Sequence, residues 1–160
     1  MRTKCIHLYT SNKINQDKLF SFFKEIDLKP LGTWDNDELD VKYNVFVNSN
    51  NEFNKALKNK IGLSYIVKFN NRELMVSMFE IKNKNYEIII YLNSLDLNQR
   101  PLLFKKLKSY FLEKNFFEGF IYDSDDDSHE IDISSIYDLL KDKLPKSIKL
   151  FMIKNNKDLV

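Results

Sequence analysis

The pattern of apolar and polar positions is most regular between Leu63 and Leu92, where three consecutive segments have the composition of β-strands. The segments are Leu63–Phe69, Arg72–Ile81 and Tyr86–Leu92, and the links are Asn70-Asn71 and Lys82–Asn85. Asn tolerates a left-handed backbone, so these links favour hairpin turns. Tyr86–Leu92 is apolar at nearly every position, which is typical of a strand covered on both faces. We therefore predict a meander with Tyr86–Leu92 near the sheet centre.

The N-terminal third of the chain alternates between strand and helix patterns. Lys4–Thr10 has a strand pattern. A helix is predicted next, because Leu19, Phe22, Phe23 and Ile26 have amphipathic spacing, and its cap could lie in Ser11-Asn12-Lys13 or at Asn15. Pro30 ends this helix, since the residue before a proline resists helical geometry. A short strand at Leu31–Trp34 follows.

The segment from Glu38 to Val47 alternates between apolar and polar residues, and this predicts a strand with one wet face. Its apolar row is Leu39, Val41, Tyr43, Val45 and Val47, and its polar row is Asp40, Lys42 and Asn44. Ser49 and Glu52 then form a capping-box pattern. They predict a short helix that places Phe53, Ala56 and Leu57 on one side.

The C-terminal part predicts one long helix followed by shorter elements. The helix runs from about Gln99 to Lys114, and its buried stripe is Leu103, Phe104, Leu107, Tyr110 and Phe111. The later predictions are strands at Phe117–Tyr122, Glu130–Ile133 and Ile148–Ile153, a helix capped by Ser134 or Ser135, and a frayed tail over Lys154–Val160.

Together these elements predict an α+β fold with a mostly antiparallel sheet flanked by helices, in one domain over residues 1–160. The element order also repeats, so two pseudo-duplicated ferredoxin-like βαββαβ halves are an alternative. The halves would be residues 1–71 and 86–154, joined by the strand 72–81. Tyr9 and Tyr91 are 82 positions apart in this comparison, and Trp34 and Tyr122 are 88 apart.

Composition bounds the function further. The chain has 43% hydrophobic residues, which suffices for a packed core, and only 3 Gly, which disfavours a phosphate-cradling loop. Its single Cys excludes an internal disulfide and favours a reducing compartment. No apolar run is long enough to cross a bilayer. We expect a cytoplasmic protein without a membrane segment.

The net charge of +2 conceals two acidic segments. The first acidic segment is Trp34–Asp40 and the second is Asp123–Asp132, and together they carry 10 of the 23 acidic residues and no Lys or Arg. The remaining chain is rich in Lys but contains only three Arg. Because Arg is the residue suited to bidentate recognition of phosphates and bases, nucleic-acid binding is not expected.

Three chemical interpretations of these residues are weak. The second acidic segment starts like a calcium loop, but Ser128 stands where the turn Gly belongs and Ser134 where the bidentate Glu belongs. Asp35 or Asp37 with Asp123 or Asp125 would make a magnesium site, which gives the alternative of a metal-dependent phosphoesterase or nuclease. Cys5 and His7 would share one face of a strand, where core packing is the ordinary interpretation. No cofactor or metal is expected.

Acidic loops with adjacent aromatic residues suit a basic protein partner, because charge steers the encounter and an aromatic side chain anchors it. In general character the chain resembles the small bacterial immunity proteins that neutralise a cognate toxin. That resemblance implies a non-catalytic inhibitor that occludes a basic toxin domain, and a homodimer with the Tyr86–Leu92 sheet continued between copies is a further alternative. The expected partner-binding residues are Trp34, Asp35, Asp37, Glu38, Tyr122, Asp123, Asp125, Asp126 and Asp127.

Overall fold

A computed structural model describes residues 5–58, 62–81, 85–96, 98–114, 116–117, 119–124, 149–154 and 157–159. Three helices lie among these residues: α1 (Gln16–Glu25), α2 (Asn50–Leu57) and α3 (Arg100–Glu113). The nine strands are β1 (Cys5–Thr10), β2 (Lys29–Asp35), β3 (Asp40–Tyr43), β4 (Leu63–Phe69), β5 (Arg72–Ile81), β6 (Asn85–Tyr91), β7 (Gly119–Ser124), β8 (Lys149–Lys154) and β9 (Lys157–Leu159).

All nine strands belong to one sheet, in the order β3-β2-β4-β5-β6-β1-β7-β8-β9. The strands from β3 to β7 are antiparallel neighbours, β7 and β8 are parallel, and β8 and β9 are antiparallel. β6 is the fifth strand and lies between β5 and β1. The predicted α+β fold with a mostly antiparallel sheet is therefore confirmed, and so is the central position of β6.

The helices cover one face of the sheet. Asn15, one of the two predicted cap positions, caps α1 by accepting a hydrogen bond from the Lys18 amide at 2.9 Å. Ser49 caps α2, as predicted, by accepting a hydrogen bond from the Glu52 amide at 3.2 Å. The Phe20 ring packs edge-to-face on Tyr65 of β4 at 5.4 Å, and Phe22 packs on Tyr110 of α3 at 4.9 Å. Burial raises the pKa of Tyr110 to about 12.

The two faces of the central strands are buried to different degrees. Ile88 and Ile90 point toward the helices and are fully buried, whereas Ile89 on the same strand is half-buried. The opposite face also carries polar pairs. His7 and Glu87 are joined by a 2.9 Å contact between Nδ1 and Oε1, and the Ser64 and Ser77 hydroxyls lie 2.8 Å apart. The apolar run of β6 therefore reflects a well-packed centre, but only one face is fully covered.

Several predicted details need correction. The chain after β8 is not a frayed tail throughout, because β9 pairs with β8. The strand predicted over Glu38–Val47 is only Asp40–Tyr43, since Asn44 adopts a positive φ of 60°. Both edges of β6 are paired, so a continuation of this sheet into a second copy would have to use an outer strand. The predicted strand Glu130–Ile133 and the helix after Ser135 lie outside the described residues.

The pseudo-duplication is not confirmed. An 82-residue repeat makes β1 equivalent to β6, and their register is symmetric, with Ile6 opposite Ile90 and Leu8 opposite Ile88. The strands beyond this pair are not equivalent, however, because β7 flanks β1 whereas β5 flanks β6.

Candidate functional site

The first acidic segment forms the turn of the β2–β3 hairpin. The Asp35 carboxylate accepts hydrogen bonds from the backbone amides of Asp37 at 3.0 Å and Glu38 at 3.2 Å. These bonds close an Asx-type turn. Leu39 ends the turn with a φ of 52°, a left-handed conformation that suits Gly or Asn better than Leu. The turn therefore has a defined backbone shape.

Lys42 of β3 reaches back to this turn. Its ammonium lies 2.9 Å from Asp35 Oδ2 and 3.2 Å from Glu38 Oε2. The hydrogen bond from Lys42 is the main cause that lowers the pKa of the Asp35 carboxyl, and the bond to Asp35 is the main cause that raises the pKa of Lys42. Asp35 and Glu38 thus have an internal partner, while Asp37 is exposed beside them.

A cleft of about 340 Å³ lies next to the turn, and we call it the hairpin cleft. It is lined by Thr33, Trp34, Asp35, Asn36, Asp37, Val45, Phe46, Val47, Glu52, Gly62 and Leu63. Three of these residues are acidic, and the described lining includes no Lys or Arg. The cleft therefore combines negative charge with an apolar wall.

Trp34 is the chain's one tryptophan and forms part of this wall. It is half-buried, and its indole Nε1 donates a 2.9 Å hydrogen bond to Asn36 Oδ1. This bond fixes the ring against the turn. Trp34 is therefore neither a core residue nor a freely rotating surface side chain.

The alternating row of β3 does not face the core as its pattern suggested. Leu39 is 74% exposed, Tyr43 54% and Val45 49%. Tyr43 lies opposite Gly32, and its hydroxyl donates a 2.9 Å hydrogen bond to Glu73. Sequence reasoning missed this surface because alternation shows which residues share a face, but does not show whether another element covers it.

The structure separates the two groups of predicted partner-binding residues. Trp34, Asp35, Asp37 and Glu38 lie at the end of β2, the second strand of the sheet, whereas Tyr122 and Asp123 belong to β7, the seventh strand. Five strand spacings of roughly 4.8 Å give about 24 Å. Neighbouring strands are antiparallel from β2 to β7, so β2 and β7 run in opposite directions. Their C-terminal ends therefore lie at opposite ends of the strands. Asp125, Asp126 and Asp127 lie outside the described residues.

The strand order places Asp35 and Asp37 far from Asp123, which does not support the predicted magnesium site with Asp123, and Asp125 lies outside the described residues. Within the part of the chain that the structure describes, no group of three or more His, Cys, Asp or Glu residues could hold a metal ion. His129 and the rest of the calcium-like loop lie beyond that part. Cys5 is buried at 6% exposure, and His7 contacts Glu87, so this strand face is packed.

Comparison with protein-family models, curated proteins and solved structures finds no match. Among the described helices, none has the length and apolar character needed to cross a membrane.

Proposed function

We propose that this chain is a non-catalytic protein-binding module that takes a basic segment of a partner protein at the hairpin cleft. The observation that carries the proposal is the composition of the cleft: Asp35, Asp37 and Glu52 stand beside Trp34 and Phe46. A Lys or Arg side chain has an apolar stem and a charged head. Its stem would pack on the aromatic wall while its head pairs with the carboxylates.

Asp37 is the carboxylate best placed to act on a partner. It is exposed, and the ion pairs of Lys42 go to Asp35 and Glu38 instead. Its charge is thus available for steering, whereas the Asp35 charge is balanced within the turn.

The most specific form of the proposal is an immunity or antitoxin-type inhibitor that acts in the cytoplasm and occludes a basic toxin domain. The acidic cleft and the paucity of catalytic motifs in the sequence support this form. Inhibition by occlusion requires a binding surface of stable shape rather than catalytic groups, and the hydrogen-bonded turn is consistent with that requirement.

Trp34 makes the proposal testable without a known partner, because its fluorescence reports on the cleft directly. Tetralysine is expected to change the emission saturably at low salt, and added salt should weaken the effect since exposed charges are screened. Asp37→Lys should weaken tetralysine binding about tenfold. Glu113→Lys, which makes the same charge change at an exposed residue at the end of α3, is the matched control and should leave binding unchanged.

Two results would contradict the proposal. One is emission that does not respond to tetralysine, and the other is an equal response to tetraglutamate. For the inhibitor form, the corresponding measurement is the association rate with a basic protein that co-purifies from the native host. That rate should fall for Asp37→Lys and remain unchanged for Glu113→Lys.

A further inference from the structure

The outer edge of β3 is where the described sheet ends on the side of the hairpin. β3 pairs with β2 through Gly32–Tyr43, Thr33–Lys42, Trp34–Val41 and Asp35–Asp40. Just beyond this ladder, Asn44 donates its amide to the Leu31 carbonyl at 2.8 Å. Antiparallel ladders repeat such bonds at every second residue pair. The backbone groups of Lys42 and Asp40 therefore face β2, and those of Val41 and Tyr43 face outward.

A side-chain contact supports this assignment independently. The Val41 amide is bound by the carboxylate of its own neighbour, Asp40, at 2.8 Å. An amide committed to β2 would have no need of this partner. The outward Val41 N–H is thus bound by a local side chain rather than by a neighbouring strand.

Exposed apolar residues are concentrated at the same edge. Of the four large apolar residues that are exposed in the described chain, Leu39, Tyr43 and Val45 lie here, and the fourth is Leu102 of α3. Exposed apolar residues grouped beside an unpaired strand edge are typical of an interaction surface rather than of scattered surface positions.

We infer that a second copy of this chain pairs with the outer edge of β3, antiparallel and with Val41 opposite Val41. In this register the two outward Val41 residues exchange their amide-to-carbonyl hydrogen bonds. Asp40 of each copy then lies opposite Lys42 of the other, on the same face of the joined sheet. A C2 dimer with one continuous sheet results.

Charge selects this register among those that the strand geometry permits. In an alternative register, one copy of β3 is shifted along the other. Only shifts of two residues keep the side chains on the same faces and the outward amides in hydrogen-bonding positions. One such shift places Lys42 opposite Lys42, and the other places Asp40 opposite Asp40. Like charges directly opposite each other are destabilising, so the Val41-centred register is the complementary one.

The paired region is short, and this sets the expected strength. Four residues from each copy bury less than the roughly 1,200 Å² of a standard stable interface. The dimer should therefore dissociate on dilution. The paired residues Asp40–Tyr43 do not line the hairpin cleft, although Val45 just beyond them does, so dimerisation and partner binding can be tested with different substitutions.

Sedimentation velocity over an about hundredfold range of protein concentration tests the inference. The unmodified chain is expected to shift from monomer to dimer. Val41→Pro should weaken self-association about tenfold or more, because proline lacks the N–H and is tolerated on strand edges. Val41→Ala keeps the amide, so it is the matched control and should retain most of the dimer. Circular dichroism checks that each variant is folded.

Charge reversal gives a second, independent arm. Asp40→Lys and Lys42→Asp should each reduce self-association, because each places like charges opposite each other. An equimolar mixture of these two variants should recover the dimer, since in the mixed pair both lysines of one copy face both aspartates of the other. A chain that stays monomeric at every concentration, or a dimer indifferent to Val41→Pro and to the mixture, would overturn the inference.

Discussion

β6 at the sheet centre and β3 at its edge carry similar apolar side chains with opposite outcomes. Ile88 of β6 is fully buried beneath the helices, while Leu39 and Tyr43 beside and within β3 are mostly exposed. β6 is hydrogen-bonded along both edges, whereas β3 has one neighbouring strand among the described residues. The difference shows that an apolar pattern becomes stabilising only where other elements cover it. Around β3, Leu39, Tyr43 and Val45 stay exposed among the described residues.

The largest expected difference is in the free energy of unfolding after truncation to Ala. Ile88→Ala removes fully buried methyl groups and should cost about 3 kcal/mol. Val41→Ala removes half-buried ones and should cost about 1 kcal/mol or less. Urea unfolding of the two variants measures both values at low protein concentration. Equal losses of unfolding free energy would show that Ile88 at the sheet centre is packed no better than Val41 at the edge.

A smaller loss is expected where β3 attaches to the sheet. A Cβ at Gly32 would lie 2.1 Å from the Lys42 carbonyl oxygen and 2.8 Å from Tyr43 Cα. Gly32→Ala should therefore push β3 away and cost about 2 kcal/mol. Hydrogen exchange should show lost protection at Asp40 and Lys42 while Ile88 and Ile90 stay protected. Thr33→Ala is the neighbouring control. Unchanged protection in β3 would contradict the close packing.

The smallest effect should have the opposite sign. Leu39 holds a left-handed φ of 52° with its side chain exposed, so Leu39→Asn relieves strain without loss of packing. We expect a stability gain of about 0.5 kcal/mol in thermal unfolding. Val45→Asn removes a comparably exposed side chain and is the control, with little gain expected. Destabilisation by Leu39→Asn would mean that Leu39 packs against the fold.

Local sequence rules predicted the local parts of this structure well. The capping residues Asn15 and Ser49 begin the helices that they were expected to begin, and the Asn70 turn has the left-handed φ, 52°, that its type allows. The buried stripe of α3 is also as predicted. In each case, residues close in the sequence supply the physical cause.

The parts that sequence did not predict depend on distant residues. Nothing near Cys5–Thr10 indicates that β1 inserts between β6 and β7. The apolar row around β3 is exposed because no described element covers it. For the candidate site, the first acidic segment was predicted correctly as a loop between two strands, but its separation from Asp123 follows from strand order alone. Lys42, four positions after Glu38, was the one available signal that the turn is internally charge-balanced.

The insertion of β1 has a consequence for biosynthesis. His7 of β1 and Glu87 of β6, which are in contact on neighbouring strands, are 80 positions apart in the sequence. During translation β1 therefore leaves the ribosome long before β6 and β7 are synthesised. Its apolar side chains stay unpaired until then. Such distant pairings slow folding and lengthen the time in which a nascent chain can bind chaperones or aggregate. A circular permutant in which β1 is synthesised close to β6 and β7 should shorten the time for which β1 stays unpaired.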